Sequence, residues 1–99
     1  MAVKPLEIHP AALAELQSAL RWYLERSRTA AATFVSEIDE AIRLVTHVPS
    51  TWPAGENSTR KFVLKRFPFA IVYREKANTI QVVAVAHGHR RPGYWKDRL

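Results

Sequence analysis

The chain has 99 residues, contains no cysteine and carries a formal net charge of +6. This length predicts a single domain over residues 1–99, and the lack of cysteine excludes disulfide bonds and thiolate chemistry. The N-terminus lacks the basic, apolar and small-residue order of a signal peptide, and no apolar run approaches the roughly 20 residues that span a bilayer. We therefore expect a cytoplasmic protein that makes no contact with a membrane.

The charge is concentrated in the C-terminal part of the chain. Residues 1–59 hold five Lys or Arg against seven Asp or Glu, a net charge of −2, whereas residues 60–99 hold ten against two, a net charge of +8. A surface of that sign attracts phosphates or acidic protein surfaces. The alternative is a charged surface that only keeps the protein in solution.

The first half of the chain predicts a short strand and two helices. Residues 3–8 fit a strand, which Pro5 confines to a sheet edge because proline cannot donate to a ladder. A helix is predicted over residues 9–27, and a second over 29–47; the short link between them predicts an antiparallel helical hairpin. The apolar stripes of the two helices are Leu13, Leu16, Leu20, Tyr23 and Leu24 in the first, and Ala31, Phe34, Val35, Ile38, Ala41, Ile42 and Val45 in the second.

Trp22 lies off this stripe, about 180° around the helix from Leu13 and among polar side chains. It either packs against the loop that carries Trp52 or is exposed as an anchor for a partner protein.

From residue 60 the hydrophobic period changes from 3.6 to 2, which predicts strands over 60–67, 69–75 and 79–87. The predicted fold is therefore α+β: a short N-terminal edge strand, an antiparallel helical hairpin, then a three-stranded antiparallel meander. The last two strands are apolar on both faces and so require a cover on each. The helices supply one cover, and either the C-terminal tail or a second chain supplies the other.

The C-terminal segment contains two histidines, His87 and His89, separated by Gly88. A metal site would need a third and a fourth ligand, for which Asp97, His9 and His47 are the only reachable candidates, so we predict no metal and no cofactor. Instead, His87 is expected to end the last strand and Gly88 to let the chain turn.

The sequence contains neither a Gly-x-Ser-x-Gly elbow nor a Gly-rich phosphate loop. What remains is a set of cations suited to phosphates, with two aromatic residues among them. Tyr94 and Trp95 either stack on a partner or fold back onto the sheet. The cations are Lys61, Lys65, Arg66, Arg90, Arg91, Lys96 and Arg98.

Two segments, "RKFVLKRFPFAIVY" and "IQVVAVAHGHRRPGYWKDR", resemble the RelE/ParE superfamily of bacterial toxins, and its ParE branch in particular. The resemblance implies the toxin of a type II toxin–antitoxin module, of the kind also called plasmid stabilisation systems. It implies as partner a small antitoxin whose C-terminal segment wraps the toxin, in a hetero-oligomer, and which covers the second face of the sheet. The residues expected to face the antitoxin are Trp22, Lys61, Val63, Lys65, Val72, Val83 and Val85.

The two branches differ in their target. RelE-like toxins are ribosome-dependent mRNA nucleases, and Lys61 and Arg90 match two of their cationic positions. Val63 stands where a second lysine would be and Ala70 where a strand arginine would be, which weakens transition-state stabilisation. This favours the ParE-like function, in which the toxin binds and poisons DNA gyrase and is not itself an enzyme.

On that interpretation the residues that face the target are Arg90, Arg91, Tyr94, Trp95 and Arg98. If the chain is instead a nuclease, its chemistry rests on Lys61, Lys65, His87, Arg90 and Tyr94. A third possibility is an inactive toxin that only pairs with its antitoxin.

Overall fold

The structure is a computed structural model that describes residues 3–99. In that range lie, in chain order, β1 (Leu6–Ile8), α1 (Pro10–Leu24), α2 (Arg28–His47), β2 (Arg60–Val63), β3 (Phe69–Glu75) and β4 (Ile80–His87). The strands form one sheet in the order β1-β4-β3-β2, in which β1 runs parallel to β4 and the other pairs are antiparallel. The predicted α+β fold is confirmed, and the N-terminal strand lies at an edge of this mixed sheet.

Local interactions mark where the first three elements begin. The carbonyl of Pro5 accepts a hydrogen bond from Ile80 N at 3.0 Å. Proline has no backbone N–H to donate, and at this position just before β1 the bond to the sheet uses only its carbonyl. The side chain of His9 accepts from Ala11 N at the start of α1, and Ser27 Oγ accepts from Ala30 N at the start of α2.

The helices pack on one face of the sheet, which we call the helix face. The buried line of α1 passes through Ala12 and Ala19, whereas Leu13 and Leu24 are 41% and 53% exposed. The predicted stripe is therefore rotated, because alanine lets α1 approach β4 closely, and the larger leucines lie at the margins. The buried residues of α2 match the prediction apart from Val35, which is exposed: they are Ala31, Phe34, Ile38, Ala41 and Val45.

A β-bulge interrupts the alternation of β4. Val72 pairs with Ala84 and Tyr73 pairs with Val82, so that Val83 is an extra residue in β4. As a result Val82 and Val85 join the core on the helix face, and Val83 and Ala84 both lie on the opposite face, which we call the open face. Strict alternation would place Val83 and Val85 on the same face, whereas the bulge places them on opposite faces.

Residues 88–99, which we call the C-terminal arm, fold back over part of the open face. The Trp95 side chain is 8% exposed and packs on Val72, Val83 and Ala84. The residue with a positive φ in the arm is Gly93, at +74°, and a Cβ there would lie 2.6 Å from Lys96 Cε. The C-terminal tail, and not a second chain, therefore covers this part of the open face. The turn that requires glycine is made by Gly93 and not by Gly88.

This packing corrects the expected antitoxin surface at three positions. The exposed fractions of Val72, Val83 and Val85 are 1%, 0% and 3%. Val72 and Val83 lie beneath the arm, and Val85 lies in the core on the helix face. Their cover comes from the chain itself, so they do not form an accessible antitoxin surface.

Trp22 does not pack against the loop that carries Trp52. Trp22 is 52% exposed, and the Arg26 guanidinium lies 3.8 Å from its ring centroid. Trp52 packs instead on Phe62, with ring centroids 4.8 Å apart. Trp22 is therefore exposed, as the second interpretation requires, and its role as an anchor stays a prediction.

Candidate functional site

A groove of about 940 Å³ lies on the open face, between the loop at residues 52–56 and the C-terminal arm. We call it the open-face groove. Seven of the residues predicted from the sequence to face a target or antitoxin line it together, although they come from β2, β3 and the arm. They are Lys61, Val63, the almost completely buried Val72, Arg90, Arg91, Tyr94 and Trp95. His87, which belongs to the nuclease alternative, lines the groove as well.

An apolar row crosses the floor of this groove. Val63 of β2 is the register partner of Ala70 in β3, and Ala70 is in turn the partner of Ala86 in β4. Directly paired residues on neighbouring strands share a face of the sheet. Val63 and Ala70, which stand at two of the positions where the resemblance implies cations in a RelE-like nuclease, are therefore adjacent, and the floor between them has no charge.

The cations beside the groove are available to a partner. Within residues 3–99, Lys61, Lys65, Arg66, Arg90 and Arg91 form no ion pair, and all five are exposed. Other cations of the C-terminal half are engaged: Lys76 with Glu7, Lys96 with Glu56, and Arg98 with Glu15. Most of the unpaired positive charge of the C-terminal half thus lies in β2, the β2–β3 turn and the first residues of the arm.

Glu15 of α1 fastens the arm to the sheet. Its carboxylate accepts two hydrogen bonds from the Arg98 guanidinium, at 2.9 and 3.0 Å, and one from the Tyr94 hydroxyl at 2.7 Å. It also accepts from Val85 N at 3.0 Å, and Arg98 donates to the carbonyl of Val83 at 3.1 Å. Because β1 ends opposite Val82, these contacts satisfy backbone groups along the open edge of β4.

The same contacts shift two pKa values in opposite directions. Burial alone would raise the pKa of Glu15, but the hydrogen bonds from Arg98, Tyr94 and Val85 N outweigh it and hold the pKa below its ordinary value. Burial, reinforced by the hydrogen bond to Glu15, raises the pKa of Tyr94 to about 12. At neutral pH the carboxylate is therefore charged and the phenol is neutral, which is the combination that the hydrogen bonds need.

This arrangement predicts acid-sensitive attachment of the arm. Since the pKa of Glu15 is lower in the folded state than its ordinary 4.5, its contribution to stability is complete above that value and is lost as the pH falls through the folded pKa. We expect the stability difference between the wild type and Glu15→Gln to shrink from about pH 6 to about pH 3. Urea unfolding at each pH measures it, and a difference that stays constant over this range would contradict the assignment.

Five residues line both the open-face groove and a second cavity, namely Pro68, Phe69, His87, Arg90 and Tyr94. The Arg90 guanidinium lies 3.9 Å from the centroid of the Tyr94 ring, and the second cavity has a volume of about 430 Å³. This cavity, which we call the side pocket, lies between α1 and the ends of β3 and β4. Trp22 forms part of its wall.

The histidines at the end of β4 have structural partners. His87 Nδ1 accepts a hydrogen bond from His89 N at 3.0 Å, and the His87 ring meets Phe69 edge-on with centroids 5.0 Å apart. No group of three or more potential metal ligands occurs among residues 3–99.

The structure thus divides the five predicted target-facing residues. Arg90 and Arg91 are exposed at the groove, whereas Trp95 and Arg98 are held in contacts within the chain and Tyr94 is shared between the two. Sequence reasoning missed Glu15, because an acid on the polar side of a helix gives no sign of its partner about 80 residues away.

A family model described as the ParE toxin of the type II toxin–antitoxin system parDE matches residues 6–92. The chain belongs to the ParE toxin family. A solved structure of the chromosomal ParDE toxin–antitoxin system from P. aeruginosa has a similar fold, with a TM-score of 0.73 and 22% sequence identity over 86% of this chain and 96% of that one. No curated protein sequence matches the chain.

Membership confirms the family resemblance seen in the sequence. A ParE toxin is one member of a toxin–antitoxin pair, so the membership implies an antitoxin as partner.

Among the described residues, neither helix combines the length and the apolar character that crossing a bilayer requires.

Proposed function

We propose that this ParE toxin arrests growth by binding DNA gyrase through the open-face groove, and that it does not cleave mRNA. Arg90 and Arg91 pair with acidic or phosphate groups of the target, and Lys61 contributes from the opposite side of the groove. The cognate antitoxin neutralises the toxin by covering the same residues.

The apolar row across the floor of the groove is the observation that carries this proposal. Cleavage of a phosphodiester needs cations aimed at the developing negative charge, and removal of one such donor typically costs about 100- to 1,000-fold in rate. Val63 and Ala70 are register partners at positions where the resemblance implies two of these cations in a nuclease. A neutral floor edged by cations suits the surface of a folded protein better than a reacting phosphate.

On this proposal Trp95 and Arg98 contribute to target binding indirectly, without contacting the target. Both are engaged in holding the C-terminal arm against β4. The arm in turn carries Arg90 and Arg91 at its beginning. We therefore assign to Trp95 and Arg98 the role of fixing the arm, and to the two exposed arginines the contact with the target.

Growth arrest and gyrase activity test the proposal together. The toxin is induced in bacteria without its antitoxin, and the purified toxin is then added to a gyrase supercoiling assay and, separately, to ribosomes translating a defined message. We expect supercoiling to be inhibited and the message to stay intact. Cut messages with normal supercoiling would support the nuclease alternative, and the absence of any growth arrest would support an inactive toxin.

Replacement of the two exposed arginines by alanine tests their role in the groove. The double variant Arg90→Ala/Arg91→Ala is expected to weaken gyrase inhibition by about 100-fold, since truncation of charged contacts at an interface costs roughly 2–5 kcal/mol. Arg28→Ala is the matched control, because Arg28 is exposed and forms no ion pair within residues 3–99 but lies outside the groove. Equal inhibition by the two variants would show that the target binds elsewhere.

A further inference from the structure

We infer that the side pocket is the anchor site for the antitoxin: it receives one large apolar side chain from a segment whose neighbouring residues are acidic. The inference rests on the proposed pairing with an antitoxin and is independent of gyrase as the target. The pocket lies beside α1 and adjoins the open-face groove, with which it shares five lining residues that include Arg90.

The lining of the side pocket fits an apolar group. Aromatic rings and apolar side chains supply most of the wall, namely Ala19, Trp22, Tyr23, Phe69, Val85 and Tyr94. The volume of about 430 Å³ lies near the lower end of the range of roughly 300–1,000 Å³ found for binding pockets. It accommodates one aromatic or leucine side chain with some adjoining backbone, and an exposed tryptophan at such a rim is typical of an interface anchor.

Charge at the rim decides the chemistry of the occupant. The carboxylate that faces the pocket, Glu15, already accepts bonds from Arg98, Tyr94 and Val85 N, so it has no further need of a cation. The guanidinium of Arg26 lies on the Trp22 ring and that of Arg90 on the Tyr94 ring, and neither forms an ion pair within residues 3–99. Arg90 lines the cavity itself, and Arg26 stacks on a tryptophan of its wall, so the unpaired positive charge complements an apolar residue flanked by carboxylates.

The position of Arg90 links occupation of this pocket by the antitoxin to neutralisation of the toxin. Arg90 borders both cavities. A chain anchored in the side pocket therefore lies against Arg90 and keeps that side chain from the target. Binding of the antitoxin in the side pocket would therefore neutralise the toxin, because Arg90, the proposed target contact, also lines that pocket.

A plug in the pocket tests the inference. Ser18 lines the side pocket on the exposed surface of α1, so Ser18→Phe is expected to fill it. Gln17→Phe is the matched control, because it adds the same ring to the same helix at an exposed position that does not line the pocket. The probe is the purified cognate antitoxin that membership of a toxin–antitoxin family implies, titrated calorimetrically with each toxin variant.

We expect Ser18→Phe to weaken antitoxin binding by about 10- to 100-fold, as for loss of one buried large side chain, and Gln17→Phe to leave it unchanged. Ser18→Phe should still arrest growth, and co-expressed antitoxin should no longer rescue the cells. If Ser18→Phe does not fold, Trp22→Ala removes an exposed wall instead and should weaken binding in the same direction.

Three outcomes would overturn the inference. Unchanged antitoxin affinity in both Ser18→Phe and Trp22→Ala would show that the pocket is empty in the complex. Loss of toxicity with normal antitoxin binding would assign the pocket to the target. Equal weakening by Gln17→Phe would indicate that α1 as a whole, and not the pocket, makes the contact. A failure of gyrase inhibition would leave these binding results unaffected, so the two proposals fail separately.

Discussion

Replacement of Glu15 by alanine is expected to lower the free energy of unfolding by about 3 kcal/mol. The change removes the acceptor of four hydrogen bonds and leaves the guanidinium of Arg98, which is 17% exposed in its side chain, without its counter-ion. A small domain is stabilised by only about 5–15 kcal/mol in total, so the loss is large. Equilibrium unfolding in urea at neutral pH measures it.

Glu40→Ala is the control for this experiment. Glu40 and Arg43 form an ion pair on the surface of α2, with both side chains 55% exposed, and its loss should have little effect on the free energy of unfolding. A double-mutant cycle of Glu15→Ala with Arg98→Ala should give a coupling energy of about 1–3 kcal/mol. A cost for Glu15→Ala no greater than that for Glu40→Ala would mean that the arm is not fastened by this carboxylate.

Replacement of Trp95 by alanine should cost about 3–5 kcal/mol, because it removes a large side chain that is 8% exposed. The change uncovers Val72, Val83 and Ala84 on the open face of the sheet. We expect a fall in the midpoint of thermal unfolding together with a loss of toxicity, since the arm that carries Arg90 and Arg91 loses its attachment. Trp22→Ala is the control for stability, because that tryptophan is 52% exposed.

Trp95→Phe separates a packing role from a target contact. Phenylalanine keeps an apolar ring on the sheet and should restore much of the stability and of the toxicity. A Trp95→Phe variant that is as stable as the wild type but does not arrest growth would show instead that the indole itself contacts the target. Circular dichroism and growth curves on the same variants provide both readouts.

Much of the fold follows from local patterns in the sequence. The predicted strand over 69–75 coincides with β3, and the second predicted helix begins within one residue of α2 and ends with it. Both elements have a clear hydrophobic period and distinct ends, and such signals are local. The family resemblance rested on the last two strands and the segment after them, and the family model matches residues 6–92.

Other features required the packed chain. The bulge at Val83 leaves no distinct sign in a run of apolar residues, because either face of the sheet accepts valine. The bulge nevertheless decides which valines of β4 face the helices. The rotation of α1 toward Ala12 and Ala19 likewise depends on how closely the helix approaches β4. Neither can be obtained from periodicity alone.

The sequence by itself determined the α+β class, the order of the elements, the basic C-terminal half and the membership of the ParE family, because each depends on residue type and spacing along the chain. Only the tertiary structure decided what the residues of the C-terminal arm do. Burial of Trp95 and the pairing of Arg98 with Glu15 join residues far apart in sequence, and such contacts depend on the distances that folding creates. The arm is therefore divided in two: its end fastens it to the sheet, and its beginning presents Arg90 and Arg91.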